Sequence, residues 1–466
     1  MSQDFEAASA EASRLLSDHW RALAQQEPPV FPDLSPGSLL SSLPAAAPEE
    51  AEPLADLLED TWNLVVPGLV HWQHPAFLGY YPTNNSPASV LAELLTAGLG
   101  VQGMMWATSP ASTELEQVVT DWLAKALGLP EAFCHSSGTG GGVIQDSASS
   151  AIVVAIAAGL HRVSRGRWRV TGLRGRRPRL YCSDQANSCV TKGSRVTGLG
   201  EPHIIPRTPG TRQLDPHALE VQIAADRAAG LLPAVVVATV GTTGTCAIDS
   251  IEEIGRVCRR EDVWLHVDAA YAGSAALCPE FRHVNDGVGL ADSYAVNAHK
   301  WLRAGNPCDV LWTTDRASLT GALGITPPYL HHPATESTGV VDFRDWQIPL
   351  GRPMRALKLW YVIRAHGLRG LRSVIRHDVR MATLFADLVD QEEGFHLEAA
   401  ALGLVVFRRT TDEATQTLIN RLRSDHSILC TPDIVDGRRV VRAAFGSPYT
   451  TPESVRRTWE KIRSHA

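Results

Sequence analysis

Leu16, Trp20 and Leu23 recur at helical spacing and predict an amphipathic helix over residues 5–26. Pro28 and Pro29 end it, and further prolines at 32, 36, 44, 48 and 53 predict extended chain with short turns. A second helical pattern covers 54–66 and stops before Pro67-Gly68. From about residue 87 the texture alternates. Helical patterns at 112–127 and 150–163 are interleaved with short β-branched or apolar runs at 233–240, 263–268 and 293–297. This order predicts an α/β fold with a mostly parallel sheet flanked by helices. Beyond Pro353 the pattern gives helices at 354–365 and 371–390, shorter strands at 402–408 and 439–444, and a last helix from Pro452. That is the signature of a small α+β domain. The expected division is an N-terminal helical and extended segment at 1–86, a large domain at 87–357 and a small domain at 358–466.

Composition narrows the function class. The 466 residues carry 43 Lys and Arg against 50 Asp and Glu, a net charge of −7. A mildly acidic chain offers no broad basic surface, so nucleic acid is not an expected partner. The longest clean apolar run, 151–160, falls well short of the roughly 18 residues that span a bilayer, so no membrane partner is expected. Residues 1–10 lack a basic region, which argues against a secretory signal. None of the eight cysteines forms a C-x-x-C pair, and no Cys/His spacing suits zinc. They are expected as free thiols in a reducing cytoplasm, with no metal site.

Three stretches carry chemistry. In Ser293-Tyr-Ala-Val-Asn-Ala-His299-Lys300-Trp301, a lysine follows a short strand. Held in a dry cleft, such a lysine is nucleophilic and suits attachment of pyridoxal phosphate (PLP). In Val263-Trp-Leu-His266-Val-Asp268-Ala-Ala270, strand periodicity puts His266 and Asp268 on one face, with Asp268 at the carboxyl end where open α/β sheets bind ligands. A buried carboxylate there can pair with a protonated pyridine nitrogen, and Ala270 is small enough for a ring to lie against it. Gly140-Gly-Gly-Val-Ile-Gln-Asp146-Ser147-Ala148-Ser149 reads as a glycine-rich loop feeding a helix N-terminus, a site for an anion. Plain capping is the alternative reading. Gly241-Thr242-Thr243-Gly244 adds a hydroxyl-rich turn at the same sheet edge.

Together with His74-Pro75-Ala-Phe77, Tyr81-Pro82-Thr83, Ser109-Pro110-Ala-Ser-Thr-Glu114-Leu-Glu116, Tyr181-Cys-Ser-Asp184-Gln-Ala and Asp345-Trp-Gln-Ile-Pro-Leu-Gly351, these motifs resemble the group II PLP-dependent decarboxylases. Within that group the match is to the aromatic-L-amino-acid decarboxylase family, from about residue 71 to 462. The resemblance implies a fold-type-I homodimer with its N-terminal segment packed on the partner. It implies Lys300 as the PLP-bearing lysine, Asp268 as the partner of the pyridine nitrogen and Ala270 beneath the ring. Ser147, Ala148, Ser149 and His299 resemble the phosphate cradle, with Asn297 and Thr243 nearby, and Leu350 and Gly351 would reach the partner's phosphate site. Trp72, Tyr80, Tyr81, Pro82 and Thr83 resemble the substrate-pocket wall. Tyr329 matches a loop tyrosine that protonates the substrate carbon after CO2 leaves, and the polar run 334–339 beside it reads as a mobile loop.

Two positions depart from the family. After Asp-Gln-Ala the family carries a histidine that stacks on the cofactor; this chain has Asn187. An amide cannot titrate and stacks poorly. Insect relatives that make aldehydes by decarboxylation-coupled oxidative deamination also carry Asn at this position. Wall positions that the family fills with Ile and Phe are Gln102 and Met104, which suits a substrate other than a simple aromatic ring, such as an S-linked cysteine conjugate. The expected activity is PLP-dependent decarboxylation of an L-amino acid, coupled to O2-dependent oxidation to an aldehyde. A decarboxylase stopping at the amine and a non-catalytic PLP-binding homologue are the alternatives.

Overall fold

A computed structural model describes residues 2–175, 177–333 and 339–466; the chain divides into two compact units, residues 83–377 and residues 1–82 with 378–466. The larger unit is built on a seven-stranded sheet. Its strands are β1 (Gly141–Gln145), β2 (Pro178–Ser183), β3 (His203–Ile205), β4 (Leu232–Thr239), β5 (Trp264–Asp268), β6 (Ser293–Asn297) and β7 (Asp309–Thr313), in the order β1-β7-β6-β5-β4-β2-β3. Only β7 runs against its neighbours, so the other six share one direction and their carboxyl ends share one edge. The expected strands at 233–240, 263–268 and 293–297 are β4, β5 and β6, each within a residue of its expected ends. They are buried along nearly their whole length, which explains their unbroken apolar character.

The apolar helix expected at 150–163 spans Ala148–Ser164 and lies across one sheet face. Its Ile152, Val154 and Ile156 share a core with Val143 of β1, Val235 and Val237 of β4, Ala295 of β6 and Leu311 of β7. Gly159 permits the approach: a Cβ there would sit 2.6 Å from Val235 Cγ2. The helix expected at 112–127 spans Pro110–Leu127.

One expectation is corrected here. Gly141 and Gly142 belong to strand β1 and do not form a phosphate loop. A Cβ on Gly140 would fall 1.9 Å from the carbonyl oxygen of Ala132, and one on Gly142 would fall 2.6 Å from Trp312 Nε1. These glycines exist because the strand edge is crowded. In sequence, a glycine run dictated by crowding looks the same as one dictated by a ligand.

The smaller unit holds an antiparallel sheet in the order β10-β11-β9-β8, from strands β8 (Phe395–Ala401), β9 (Leu404–Arg409), β10 (Thr431–Val435) and β11 (Arg438–Ala444). Phe385 and Phe407 pack edge to face on Trp459 in its core, with Phe445 tilted against Phe385 and with Val30, Phe77 and Leu78 from the N-terminal segment. Backbone bonds bind that segment in: Phe31 N donates to His426 O, Leu78 N to Leu429 O and Ala444 N to Leu78 O, all at 2.8 Å. The first helix spans Ser2–Gln25. The second starts at Leu54 but changes pitch, passing through a π turn at Thr61–Val65 before Pro67. The helical stretch Ala356–Asp390 is broken at Gly367, φ 60°, where the sequence predicts a gap between two helices.

Candidate active site

The carboxyl edge of the large sheet collects the candidate chemistry. Strand β6 ends at Asn297 and a single helical turn, Ala298–Trp301, presents His299 and Lys300. Burial pulls the Lys300 amine below the ordinary lysine range, while Asp268 and Asp309 pull the other way. Asp268, 5% exposed, ends β5, and burial raises its carboxyl against the opposing effects of Lys300 and the Ala270 N–H, which donates to Asp268 Oδ1 at 3.1 Å. A lysine whose charge is disfavoured by burial and a carboxyl group close enough to act on it are the two groups that covalent PLP attachment and ring-nitrogen pairing require.

Backbone bonds fix the strand ends relative to one another. Val240 N donates to Asp268 O, Ala269 N to Ala295 O and Asn297 N to Ala270 O. Gly241, φ 88°, lets the turn after β4 pass Ala272, where a Cβ would fall 2.6 Å from its methyl.

The His299 ring is held through Nδ1, which lies 3.0 Å from Cys308 N and 3.1 Å from Cys308 O. Burial, with Lys300 next in line, brings its pKa down to about 4. A neutral ring lies beside an anion without adding charge. The helix Ala148–Ser164 starts at this edge: Ser147 caps it by accepting from Ser150 N, and Ser149 is exposed. Its first-turn N–H groups have no preceding helical carbonyl to bond. These features fit a phosphate, and with Lys300 and Asp268 they fit PLP as a whole.

Asn187 caps the helix Ser188–Val196, and both ends of its carboxamide are engaged. Oδ1 accepts from Cys189 N at 3.0 Å, and Nδ2 donates to Thr243 Oγ1 at 3.1 Å. Cys189 in turn lies within electrostatic range of Asp268 and Lys300, so Asn187 and Thr243 border the same site. Thr83 Oγ1 donates to His299 O at 3.3 Å. Gln102 is held: its Oε1 accepts from Arg352 N at 2.6 Å, which secures the segment carrying Leu350 and Gly351. Met104 is partly buried, and its carbonyl accepts from Arg344 N. Tyr329 sits on the turn Pro328–Leu330, is 77% exposed and has no hydrogen bond among the described residues. Residues 334–338 of the expected mobile loop lie outside the described residues. Trp72, Tyr80, Tyr81 and Pro82 belong to the smaller unit, where Trp72 stacks on Tyr80 at 5.5 Å and Tyr81 lies under Arg442.

Sequence reasoning misses three contributors. Asn84 clamps the lysine turn: its N–H donates to His299 O at 2.8 Å and its Nδ2 to Lys300 O at 3.3 Å. Glu116 and Arg352 form a buried ion pair, with Nη2 to Oε1 at 2.7 Å, that also holds β1. Asp309 is fully buried beside Lys300 and Asp268. Glu116 closes the Ser109–Glu116 motif and Asn84 directly follows Tyr81-Pro82-Thr83, but neither motif shows what these side chains bind.

Comparison with known proteins agrees with this geometry. Residues 36–410 match the pyridoxal-dependent decarboxylase conserved domain. The chain is 41% identical to an aromatic-L-amino-acid decarboxylase of Sus scrofa, covering 99% of this chain and 96% of that one. It is 39% identical to a phenylacetaldehyde synthase of Arabidopsis thaliana, covering 97% and 93%. The crystal structure of Oryza sativa TDC with PLP and tryptamine superposes with a TM-score of 0.96 at 37% identity, covering 100% of this chain and 98% of that one. The match reaches both units, and it includes the strand ends that carry Lys300 and Asp268. This chain belongs to the pyridoxal-dependent decarboxylase family and is built as a PLP-dependent, fold-type-I amino-acid decarboxylase.

Proposed function

We propose that the protein decarboxylates an aromatic L-amino acid and carries the product on to the aldehyde. The balance is amino acid, O2 and water giving aldehyde, CO2, ammonia and hydrogen peroxide. The observation that carries this reading is Asn187. Its amide is tied to Cys189 N and Thr243 Oγ1, so this position supplies neither a stacking ring nor a titratable proton. The aldehyde-synthase relative makes such an outcome reachable from this scaffold.

PLP, when bound through Lys300, would supply the electron sink for loss of the α-carboxylate as CO2. Asp268 would pair with its ring nitrogen. His299, Ser147, Ser149 and the first-turn N–H groups after Ser147 would hold its phosphate, with Asn297 and Thr243 beside them. Ala270 supports the ring, and Asn84 and Thr83 fix the lysine turn from behind. Tyr329 Oη is the group that returns a proton to Cα. Without an imidazole to orient Tyr329, that proton transfer would be slow, and O2 would have time to compete with it. A second reading, release of the amine, is favoured by the presence of Tyr329 itself. Thr83, Gln102 and Met104 of the larger unit are assigned to the substrate wall, and an S-linked cysteine conjugate is the other substrate class.

The assembly is proposed as a homodimer, with Leu350 and Gly351 reaching the partner's phosphate site. On the helix Pro87–Leu99 the side chains of Leu91, Leu94, Leu95 and Leu99 are all exposed, a run that a second copy would cover. An apolar groove of about 1180 Å³ between the Ser2–Gln25 helix and residues 51–63, lined by Ala7, Leu15, Leu54, Leu58 and Trp62, points the same way for the 1–86 segment. A cytoplasmic location is proposed from eight cysteines without a disulfide; no helix among the described residues is long and apolar enough to cross a membrane. Incubation with L-tryptophan, L-tyrosine, L-phenylalanine and an S-substituted cysteine, reading CO2, O2 and aldehyde together, tests the activity. CO2 release without O2 uptake or aldehyde rejects the oxidative reading.

A further inference from the structure

Cross-strand register places three polar side chains in one row. Asp309 at the start of β7 lies directly opposite Gln145, the last residue of β1, and Asn297, the last residue of β6. Directly opposed residues point to the same sheet face with Cβ atoms about 5 Å apart. The face is the one covered by the Ala148–Ser164 helix, because Val143, Ala295 and Leu311, two residues away on the same strands, pack on that helix. Gln145 and Asp309 are 0% exposed and Asn297 is 5% exposed.

The row has too many acceptors. Gln145 Nε2 donates to Trp346 O at 2.7 Å, which leaves its Oε1 on the other side without a donor. Asn297 Oδ1 and both carboxyl oxygens of Asp309 also have no hydrogen-bond partner among the described residues. A carboxylate buried in this row, beside two amide side chains, would carry a full desolvation penalty and gain no bond in return from the described residues. One proton on the carboxyl resolves this, because a carboxylic acid donates where a carboxylate only accepts.

Resting on the reading of this edge as the PLP phosphate site, we propose that Asp309 is a neutral carboxylic acid in the working enzyme. Its O–H donates to an amide oxygen of the row and so positions Asn297 at the floor of that site. The charged and titratable groups facing it are Asp268 from β5, Lys300 from the turn after β6, Asp146 from the link after β1, Cys189 from the Ser188–Val196 helix, and its neighbour Cys308. Two carboxyls against one lysine amine favour the uncharged form, and burial acts in the same direction, well above the ordinary carboxylate range. The role matters electrostatically. An ionised Asp309 would put a negative charge behind a bound phosphate; the neutral acid supplies order without repulsion.

The test is an infrared difference spectrum of the full-length holoenzyme near pH 7, wild type minus Asp309→Asn, in H2O and D2O. A carbonyl band of a protonated carboxyl, present in wild type, shifted in D2O and absent from the variant, is expected. A pair of carboxylate bands in its place overturns the proposal. Equilibrium dialysis of PLP gives the second readout: Asp309→Asn, which keeps a donor, holds the cofactor within about threefold of wild type, whereas Asp309→Leu loses about tenfold, one lost hydrogen bond. Equal affinities for the two variants also overturn it. If Asp309→Asn does not fold, 13C-carboxyl aspartate labelling of the wild type decides by whether one buried carboxyl stays at the protonated shift. Wild type that binds no PLP refutes the family function, whereas wild type that binds PLP but shows no acid band refutes only the role of Asp309.

Discussion

Replacing Arg352 with methionine removes one partner of a pair whose side chains are both 1% exposed. The guanidinium donates from Nη2 to Glu116 Oε1 at 2.7 Å and to Ile144 O at 2.9 Å, and the same Oε1 accepts from Ile144 N at 2.8 Å. Ile144 O keeps a donor after the change, because Arg355 Nη1 also reaches it at 2.9 Å. The main loss is therefore the stranded Glu116 charge. Breaking a buried pair from one side costs about 3–5 kcal/mol. Adding Glu116→Gln removes that charge while keeping an oxygen for Ile144 N, so the double variant should lose only about 1–2 kcal/mol, a rescue of about 2–3 kcal/mol over Arg352→Met alone. Urea unfolding of the apo-protein, followed by tryptophan fluorescence with the m-value checked for constancy, measures Arg352→Met, Glu116→Gln and the double variant. A loss below about 1 kcal/mol for Arg352→Met, or additive losses with no rescue, would refute the reasoning.

Other outcomes follow from the same geometry. Borohydride reduction of the holoenzyme and peptide mapping should place the pyridoxyl group on Lys300, and Lys300→Ala should fold without taking any label; label on Lys125, Lys192 or Lys358 contradicts the assignment. His299 has a folded pKa of about 4 against an ordinary 6.5, so it leaves stability unchanged above 6.5. As pH falls from 6.5 towards 4, the unfolded chain takes up a proton that the folded ring refuses, and up to about 3 kcal/mol is lost. The urea midpoint of apo-protein should therefore fall less steeply between pH 7 and 5 for His299→Gln, and equal slopes would exclude the effect. Gly142→Ala forces a methyl to within 2.6 Å of Trp312 Nε1 and 2.7 Å of Thr120 Cβ, and should lower stability by about 1–3 kcal/mol in the same assay.

Legibility in the sequence divides by range of interaction. Lys300 and Asp268 could be placed because each ends a short strand whose apolar pattern marks its boundaries, and strand ends in such sheets bind ligands. The expected strand at 293–297 matches β6 to the residue. Strands β1 and β7 were not legible. Gly141–Gln145 is glycine-led and polar-ended, and its identity as a strand comes from pairing with a segment far along the chain, Gly141 with Thr313, 172 positions further on. The same blindness hides Asp309. An acid before Val310-Leu-Trp reads as an ordinary strand start; only the register beside Gln145 and Asn297 reveals it as buried. Asn187 was legible as a departure from its family, but its two bonds were not, since Thr243 comes from a different strand end. Gln102 looked like a wall residue, and its bond to Arg352 N again depends on chain far away in sequence.

The central claim is the fate of the substrate carbon after CO2 leaves, with Asn187 and Tyr329 setting it. The most direct measurement is product stoichiometry for the wild type and Asn187→His, with the amino acid that turns over fastest, in a sealed cell with an oxygen electrode. Wild type should consume one O2 and form one aldehyde for each CO2, and the histidine variant should shift product towards amine with O2 uptake falling in step. Amine as the sole wild-type product, formed at the same rate with and without O2, would contradict the account.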